Sequence, residues 1–289
     1  MFKIFSPSKL ILTGEHSVVY NKKCIVSTIS LGTTFSVHKS DSRFVNYFLK
    51  EKVHCYREGD PVNNRTEQAL ELFYRLLNDH LVTETFSIDI TSTVPHGAGL
   101  GSSASFSVGL ATVLKHFIDL DILSTANRFE SIFHSSASGV DTFAILNGGT
   151  FIYSKSESAS KLHFNQRLFI CDTKIEHNTS TLVKHVREIY EKYGKALIDE
   201  IGDITEEVIQ SIENGSFSTD FMDRNHVLLR DLGVSNEAIE AIVSIAQNYK
   251  INAKITGAGG GGCVLLSAPV PGLECIEVTF TDSGVKYLC

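Results

Sequence analysis

An α+β fold in two domains is what this chain predicts, and three observations carry the prediction. Its 289 residues are about twice the usual size of a single domain. Short apolar runs bounded by Gly, Ser, Pro or Asn alternate with amphipathic helical patterns through both halves. Between the halves lies a polar Ser/Lys-rich segment, residues 154–161, which reads as an interdomain linker and sets the expected domains at 1–155 and 162–289.

The first half opens on strand patterns at Lys3-Ile4-Phe5, Lys9-Leu10-Ile11-Leu12 and Leu31 to His38. Asn63 to Leu81 places Ala69, Leu70, Phe73, Leu76 and Leu77 at helical spacing. Thr85 to Thr93 alternates, with Phe86, Ile88 and Ile90 on one face, as a half-buried strand does. A glycine loop follows, then a buried helix from Ser105 to Phe117, a second helix over Leu123 to His134, and a strand from Gly149 to Tyr153. The second half begins with the apolar strand Leu168 to Cys171 and continues with three or four helices between Thr179 and Gln247. Ser235 is the expected N-cap of the last of these. Strands at Lys254 to Thr256 and Cys263 to Ser267 flank a second glycine run, and Ile276, Val278 and Phe280 alternate near the end.

Composition narrows the function. Hydrophobic residues make up 43% and charged residues 20% of the chain, values that exclude disordered and fibrous classes. A net charge of −7 argues against a nucleic-acid partner, which would reward clustered Lys and Arg. The 6 cysteines are scattered without a C-x-x-C pair, so reduced thiols are expected rather than a zinc site. No apolar run reaches the length of a membrane span, and Met1 to Leu12 lacks a signal-peptide core. A cytosolic protein with no membrane partner is expected.

Four groups of residues carry chemistry. Gly97-Ala98-Gly99-Leu100-Gly101-Ser102-Ser103 joins a strand to a helix start, where bare N–H groups and the helix dipole favour an anion such as a triphosphate. It matches neither a Walker loop nor a dinucleotide fingerprint, and a plain tight turn explains it about as well. Thr256-Gly257-Ala258-Gly259-Gly260-Gly261-Gly262-Cys263 reads as a close approach to a ligand or as a flexible hairpin. Lys9 with Glu15-His16 could be ordinary surface polarity. Glu130 with His134, and Asp141 in Ser-Gly-Val-Asp, read alone as a solvated helix face and a turn aspartate.

Taken together and in this order, these motifs resemble the GHMP kinases, named for galactokinase, homoserine kinase, mevalonate kinase and phosphomevalonate kinase. The resemblance covers nearly the whole chain. Lys9 to Tyr20, Pro95 to Ala104 and Lys254 to Cys263 are similar to the three family motifs, and Glu130 to Asp141 with Asn178-Thr179 is most similar to the mevalonate kinase branch. The resemblance implies an N-terminal domain like domain 2 of ribosomal protein S5, a ferredoxin-like C-terminal α/β sandwich, and an active site in the cleft between them. It implies phosphorylation of mevalonate, a small-molecule substrate, by ATP in isoprenoid precursor synthesis.

Residue by residue, the resemblance implies that Gly97, Ala98, Gly99, Leu100, Gly101, Ser102 and Ser103 wrap the ATP phosphates, with Ser92 beside the nucleotide. Ser103 and Glu130 would coordinate Mg²⁺. Asp141 would accept the substrate hydroxyl proton or orient that hydroxyl, and Lys9 would stabilise the transferring charge. Glu15, His16 and Thr179 would lie near the substrate. Another GHMP small-molecule kinase, acting on phosphomevalonate, homoserine or a sugar, is the alternative, followed by a non-catalytic ligand sensor. A homodimer is compatible with the resemblance. Ser8 stands where the family usually has glycine, and His134 to Gly139 lacks the usual Gly and Pro.

Overall fold

The computed structural model describes residues 1–49, 52–95, 97–134, 139–176 and 179–288. His96, Ser135 to Ser138, Asn178 and the side chain of Thr179, each within a motif noted above, lie outside the described residues.

The first sheet is built on two long strands, β1 (Phe2–Thr13) and β2 (Cys24–Lys39), which pair antiparallel along almost their full length. β1 absorbs both of the short strands expected at the N-terminus. Pro7 has no N–H to give, and the ladder shifts register between Pro7 and Ser8 so that pairing resumes beyond it. β3 (Phe44–Leu49) and β4 (Lys52–Arg57) form a hairpin that the sequence reading left unassigned. Helix α1 (Arg65–Asp79) starts at Asn64, whose side chain accepts from Glu67 N at 2.9 Å, while the Glu67 carboxylate accepts from Asn63 N at 2.6 Å. Two otherwise orphaned donors are thereby satisfied.

β5 (Phe86–Ser92) lies between β2 and β3, with Phe86, Ile88 and Ile90 buried as the alternation predicted. Helices α2 (Ser102–Phe117), α3 (Ile122–Phe133) and α4 (Val140–Asn147) follow. The last of these was not foreseen. β6 (Thr150–Tyr153) and β7 (Ser160–Leu162) pair with each other, and β6 also pairs with β2. Residues 154–161, expected to link two domains, are therefore a hairpin loop and strand of the first sheet.

The second sheet has the order β11-β8-β10-β9, all neighbours antiparallel. Its strands are β8 (Leu168–Asp172), β9 (Ala253–Ile255), β10 (Cys263–Leu266) and β11 (Cys275–Val278). Between β8 and β9 run α5 (Thr179–Ile189), a π-helical turn at Tyr190–Gly194, α6 (Lys195–Glu213), α7 (Phe221–Asp231) and α8 (Glu237–Asn248). Asn236, not Ser235, caps α8, accepting from Ile239 N at 2.9 Å. Ser235 instead donates to the Glu240 carboxylate.

Two features tie the halves together. One apolar core contains Leu10, Leu12, Ile25 and Ile29 from the first sheet along with Ile170, Ile198, Ile255 and Val264 from the second half. An apolar sheet face is buried by packing against another layer. The chain end then returns: β12 (Lys286–Leu288) pairs with β1, and Thr281 N bonds to Thr28 O at 3.1 Å. The span expected as 162–289 thus gives its last residues back to the first sheet. Among the described residues no helix is long and apolar enough to cross a membrane.

Helix α2 sits on β2 at very short range. A Cβ built on Gly109 would lie 2.0 Å from the Phe35 ring, and that ring is fully buried. Gly109→Ala is therefore expected to destabilise the protein by about 1–3 kcal/mol through overpacking, read as a lower urea midpoint at unchanged m-value. An unchanged midpoint would mean that the helix can lift off the sheet freely.

Candidate active site

The glycine loop is stitched to β1. Lys9 N donates to Leu100 O at 3.0 Å, Lys9 Nζ donates to Gly99 O at 3.2 Å, and Ser8 Oγ donates to the same Leu100 carbonyl. Ser8, the departure from the family glycine, thus adds a bond to the loop. Gly97, Gly99 and Gly101 all have φ between 70° and 75°, the left-handed region that suits glycine. Gly101 precedes α2 without any side-chain cap, so the N–H groups of the first turn stay available to an anion. The second glycine run closes on the first. Cys263 N donates to Ala98 O at 3.0 Å, and a Cβ on Gly257 would meet Gly99 O at 2.9 Å.

At this junction the four residues assigned to chemistry converge. Lys9 Nζ lies 3.3 Å from Asp141 Oδ2, the lysine side chain 4% exposed and the aspartate 30%. Asp141 is the second residue of α4, whose N-terminus favours a carboxylate. Thr142 Oγ1 donates to Asn127 Oδ1 at 2.6 Å, fixing α4 to α3. Helix α3 carries Glu130, whose Oε1 accepts from Ser103 Oγ at 2.8 Å and whose Oε2 accepts from Ser107 Oγ at 3.0 Å. His134 Nε2 stands 3.1 Å from Ser103 Oγ. With the serine proton directed to Glu130, that nitrogen serves as the donor.

Burial pushes the Glu130 carboxyl up to about 8; the Ser103 bond works against this and the Asp141 charge adds to it. A raised folded-state value means that the folded protein holds a proton the unfolded chain releases. That stability is fully present below the unfolded value and is lost as pH rises toward 8, by about 1.4 kcal/mol per pH unit at the steepest. Between pH 5 and 8 the nucleotide-free wild-type protein is therefore expected to lose melting temperature relative to Glu130→Gln, while the buried His16, His134 and His226, whose values burial lowers, act in the opposite direction in both proteins. An identical slope in the variant would assign it to other groups.

These residues line one cleft of about 400 Å³. Ser92, Gly97, Ala98, Gly99, Gly101, Ser102 and Ser103 border it, as do Lys9, Glu15, His16, Glu130 and Asp141. Leu100 does not: its side chain is in the core, and its carbonyl serves β1. Glu15 borders the cleft with both oxygens engaged, Oε1 by the Lys254 ammonium and Oε2 by Asn225 Nδ2 at 3.1 Å. The backbone of Thr179 opens α5.

Sequence reasoning missed Arg65, Phe106 and Phe133 as cleft residues. Phe106 follows Ser103 by three positions and so shares its helix face, a usable signal hidden by treating every apolar residue of α2 as core. It meets Phe133 edge to face at 5.9 Å. Arg65 Nη1 donates to Phe133 O at 2.6 Å, a pairing between α1 and the end of α3 that no local pattern announces.

Comparison with known proteins follows the same lines. Residues 64–149 match the family model for the GHMP kinases N terminal domain, and residues 219–268 match that for the GHMP kinases C terminal. The chain is 32% identical to the mevalonate kinase of Archaeoglobus fulgidus over 90% of its own length and 89% of that protein. It is 30% identical to the mevalonate kinase of Pyrococcus abyssi over 91% and 88%. Among solved structures, the Methanococcus jannaschii mevalonate kinase superposes with a TM-score of 0.79 at 26% identity, covering 96% of this chain and 98% of that one.

Proposed function

The chain belongs to the GHMP kinase family, and from that premise we propose that its cleft binds ATP with Mg²⁺ and phosphorylates mevalonate to 5-phosphomevalonate. The observation that carries this reading is the Lys9–Asp141 pair set beside Ser103 and Glu130 at the glycine loop. The substrate hydroxyl oxygen attacks the terminal phosphorus as the bond to the β,γ-bridging oxygen breaks. ADP leaves with that electron pair, and the hydroxyl proton passes to Asp141. Lys9, held by Asp141 and the Gly99 carbonyl, supplies positive charge that needs no reorganisation as the phosphoryl group moves.

Ser103 and Glu130 suit Mg²⁺: both present hard oxygen donors, and Glu130 is a buried carboxyl whose oxygens are held by the Ser103 and Ser107 hydroxyls, with His134 Nε2 3.6 Å from Oε1. When bound, the ion neutralises phosphate charge.

Among the described residues Lys9 and Arg65 are the lysine and arginine side chains lining the cleft, and Lys9 is already paired. One remaining cation is a poor provision for a phosphorylated acceptor in addition to ATP, which favours mevalonate over phosphomevalonate. The scattered cysteines, without a C-x-x-C pair, support a reducing, cytosolic setting for the reaction.

The test is a panel of mevalonate, phosphomevalonate, homoserine and galactose with ATP and Mg²⁺, followed by coupled ADP detection. Mevalonate is expected to lead in kcat/KM by at least about a hundredfold. Faster turnover of any other acceptor defeats the assignment.

A further inference from the structure

Lys254, at the centre of β9, and Glu15, in the turn after β1, have fully buried side chains and meet as an ion pair. Neither residue type is ordinarily buried without a partner. Asn225, on α7, presents its NH₂ group to the second Glu15 oxygen at 3.1 Å and leaves its own Oδ1 without a partner. That orientation is the one an ionised, acceptor-only carboxylate selects. Two elements of the second half of the chain, β9 and α7, thus converge on one carboxylate of the first.

The next residue explains what they hold. His16 has φ 60° and ψ −41°, a positive-φ conformation that residues other than glycine seldom adopt. From the other side it is fixed by Nε2, 2.9 Å from the Ala258 carbonyl in the second glycine run. Between Lys254 and Ala258, Thr256 Oγ1 donates to Ile11 O at 2.9 Å. A strained turn of the first half is therefore clipped at successive residues by a single strand and loop of the second, with His16 facing the cleft.

We propose that Glu15 and Lys254 are positioning residues for the acceptor substrate: their buried ion pair holds the turn that presents His16 to the cleft, where His16 contacts mevalonate, and Glu15 itself makes no contact with substrate. This rests on the kinase assignment above. Removing Lys254 alone strands a buried carboxylate, and removing Glu15 alone strands a buried ammonium; removing both strands neither. Direct contact between Glu15 and substrate has the opposite signature, because neutralising position 15 then costs affinity whatever occupies position 254.

The experiment compares Glu15→Gln, Lys254→Met and the double variant, each assayed as the full chain well below its own unfolding midpoint. Each single change is expected to raise KM for mevalonate about tenfold or more, with KM for ATP within about threefold of wild type. The double variant is expected to return KM for mevalonate to within about fivefold of wild type, a coupling that independent sites do not show. A double variant above that limit overturns the proposal, and so does Lys254→Met with wild-type constants. If a single variant does not fold, the double variant decides alone by the same limit. Wild-type turnover of mevalonate in the same assay separates failure of this inference from failure of the kinase assignment.

Discussion

Asp141→Asn is expected to lower kcat by roughly a hundred- to ten-thousandfold, the range a positioned acid–base group contributes, while ADP binds with almost unchanged affinity. The expectation follows from the geometry. Asp141 Oδ2 lies 3.3 Å from Lys9 Nζ on the open side of the cleft, whereas the loop N–H groups that favour phosphate belong to the start of α2. Asparagine keeps the shape but accepts no proton, and it leaves the buried Lys9 ammonium without its counter-charge. Nucleotide contacts should survive because the bonds from Lys9 and Ser8 to the loop carbonyls of Gly99 and Leu100 do not pass through Asp141. Steady-state kinetics paired with calorimetric ADP titration separates the two effects. An unchanged kcat removes Asp141 from the chemistry, and an equal loss in ADP affinity makes it a nucleotide-site residue.

Gly101→Ala should cut kcat/KM for ATP by roughly a hundredfold, about what a misplacement near 1 Å at a reacting centre costs. Two effects combine there. Gly101 has φ 75°, and a Cβ at that position would lie 2.9 Å from both Cγ and Cε of Lys9. The lysine stem is buried and cannot swing into solvent, so either the loop or the ammonium must move. Gly59→Ala is the control: its φ is 88° but nothing lies within 4 Å of the added carbon, so it should lose about 1–2 kcal/mol of stability to backbone strain and no activity. Equal activity losses in the two variants would point to backbone strain rather than to Lys9. Retained activity in Gly101→Ala would show that the loop can yield without displacing the lysine.

How much of this was legible beforehand depended on the range of the interaction. The alternation in β5 and the periodicity of α1 and α2 are set by residues within about one helical turn or a few strand positions, and periodicity exposes them. The π-helical turn and α4 carry no comparable pattern, and α4 has only 8 residues. The polar segment before residue 162 looked like a linker because composition reports solvation; the backbone there is used by a sheet partner that composition cannot name. Ser235 and Asn236 are adjacent and both able to cap, and the choice fell to Asn236 once Glu240 claimed the Ser235 hydroxyl.

The sequence by itself determined the family, because the glycine loops and the residues around them recur as motifs in a fixed order along the chain, and it nominated Lys9, Ser103, Glu130 and Asp141 for the proposed phosphoryl transfer. Tertiary structure alone decided which charges meet. Lys9 reaches Asp141, Glu15 is taken by Lys254, and the last strand returns to the first. The physical reason is that a buried charge is tolerated only opposite its partner, and which partner arrives is settled by how two sheets pack, not by any spacing along the chain.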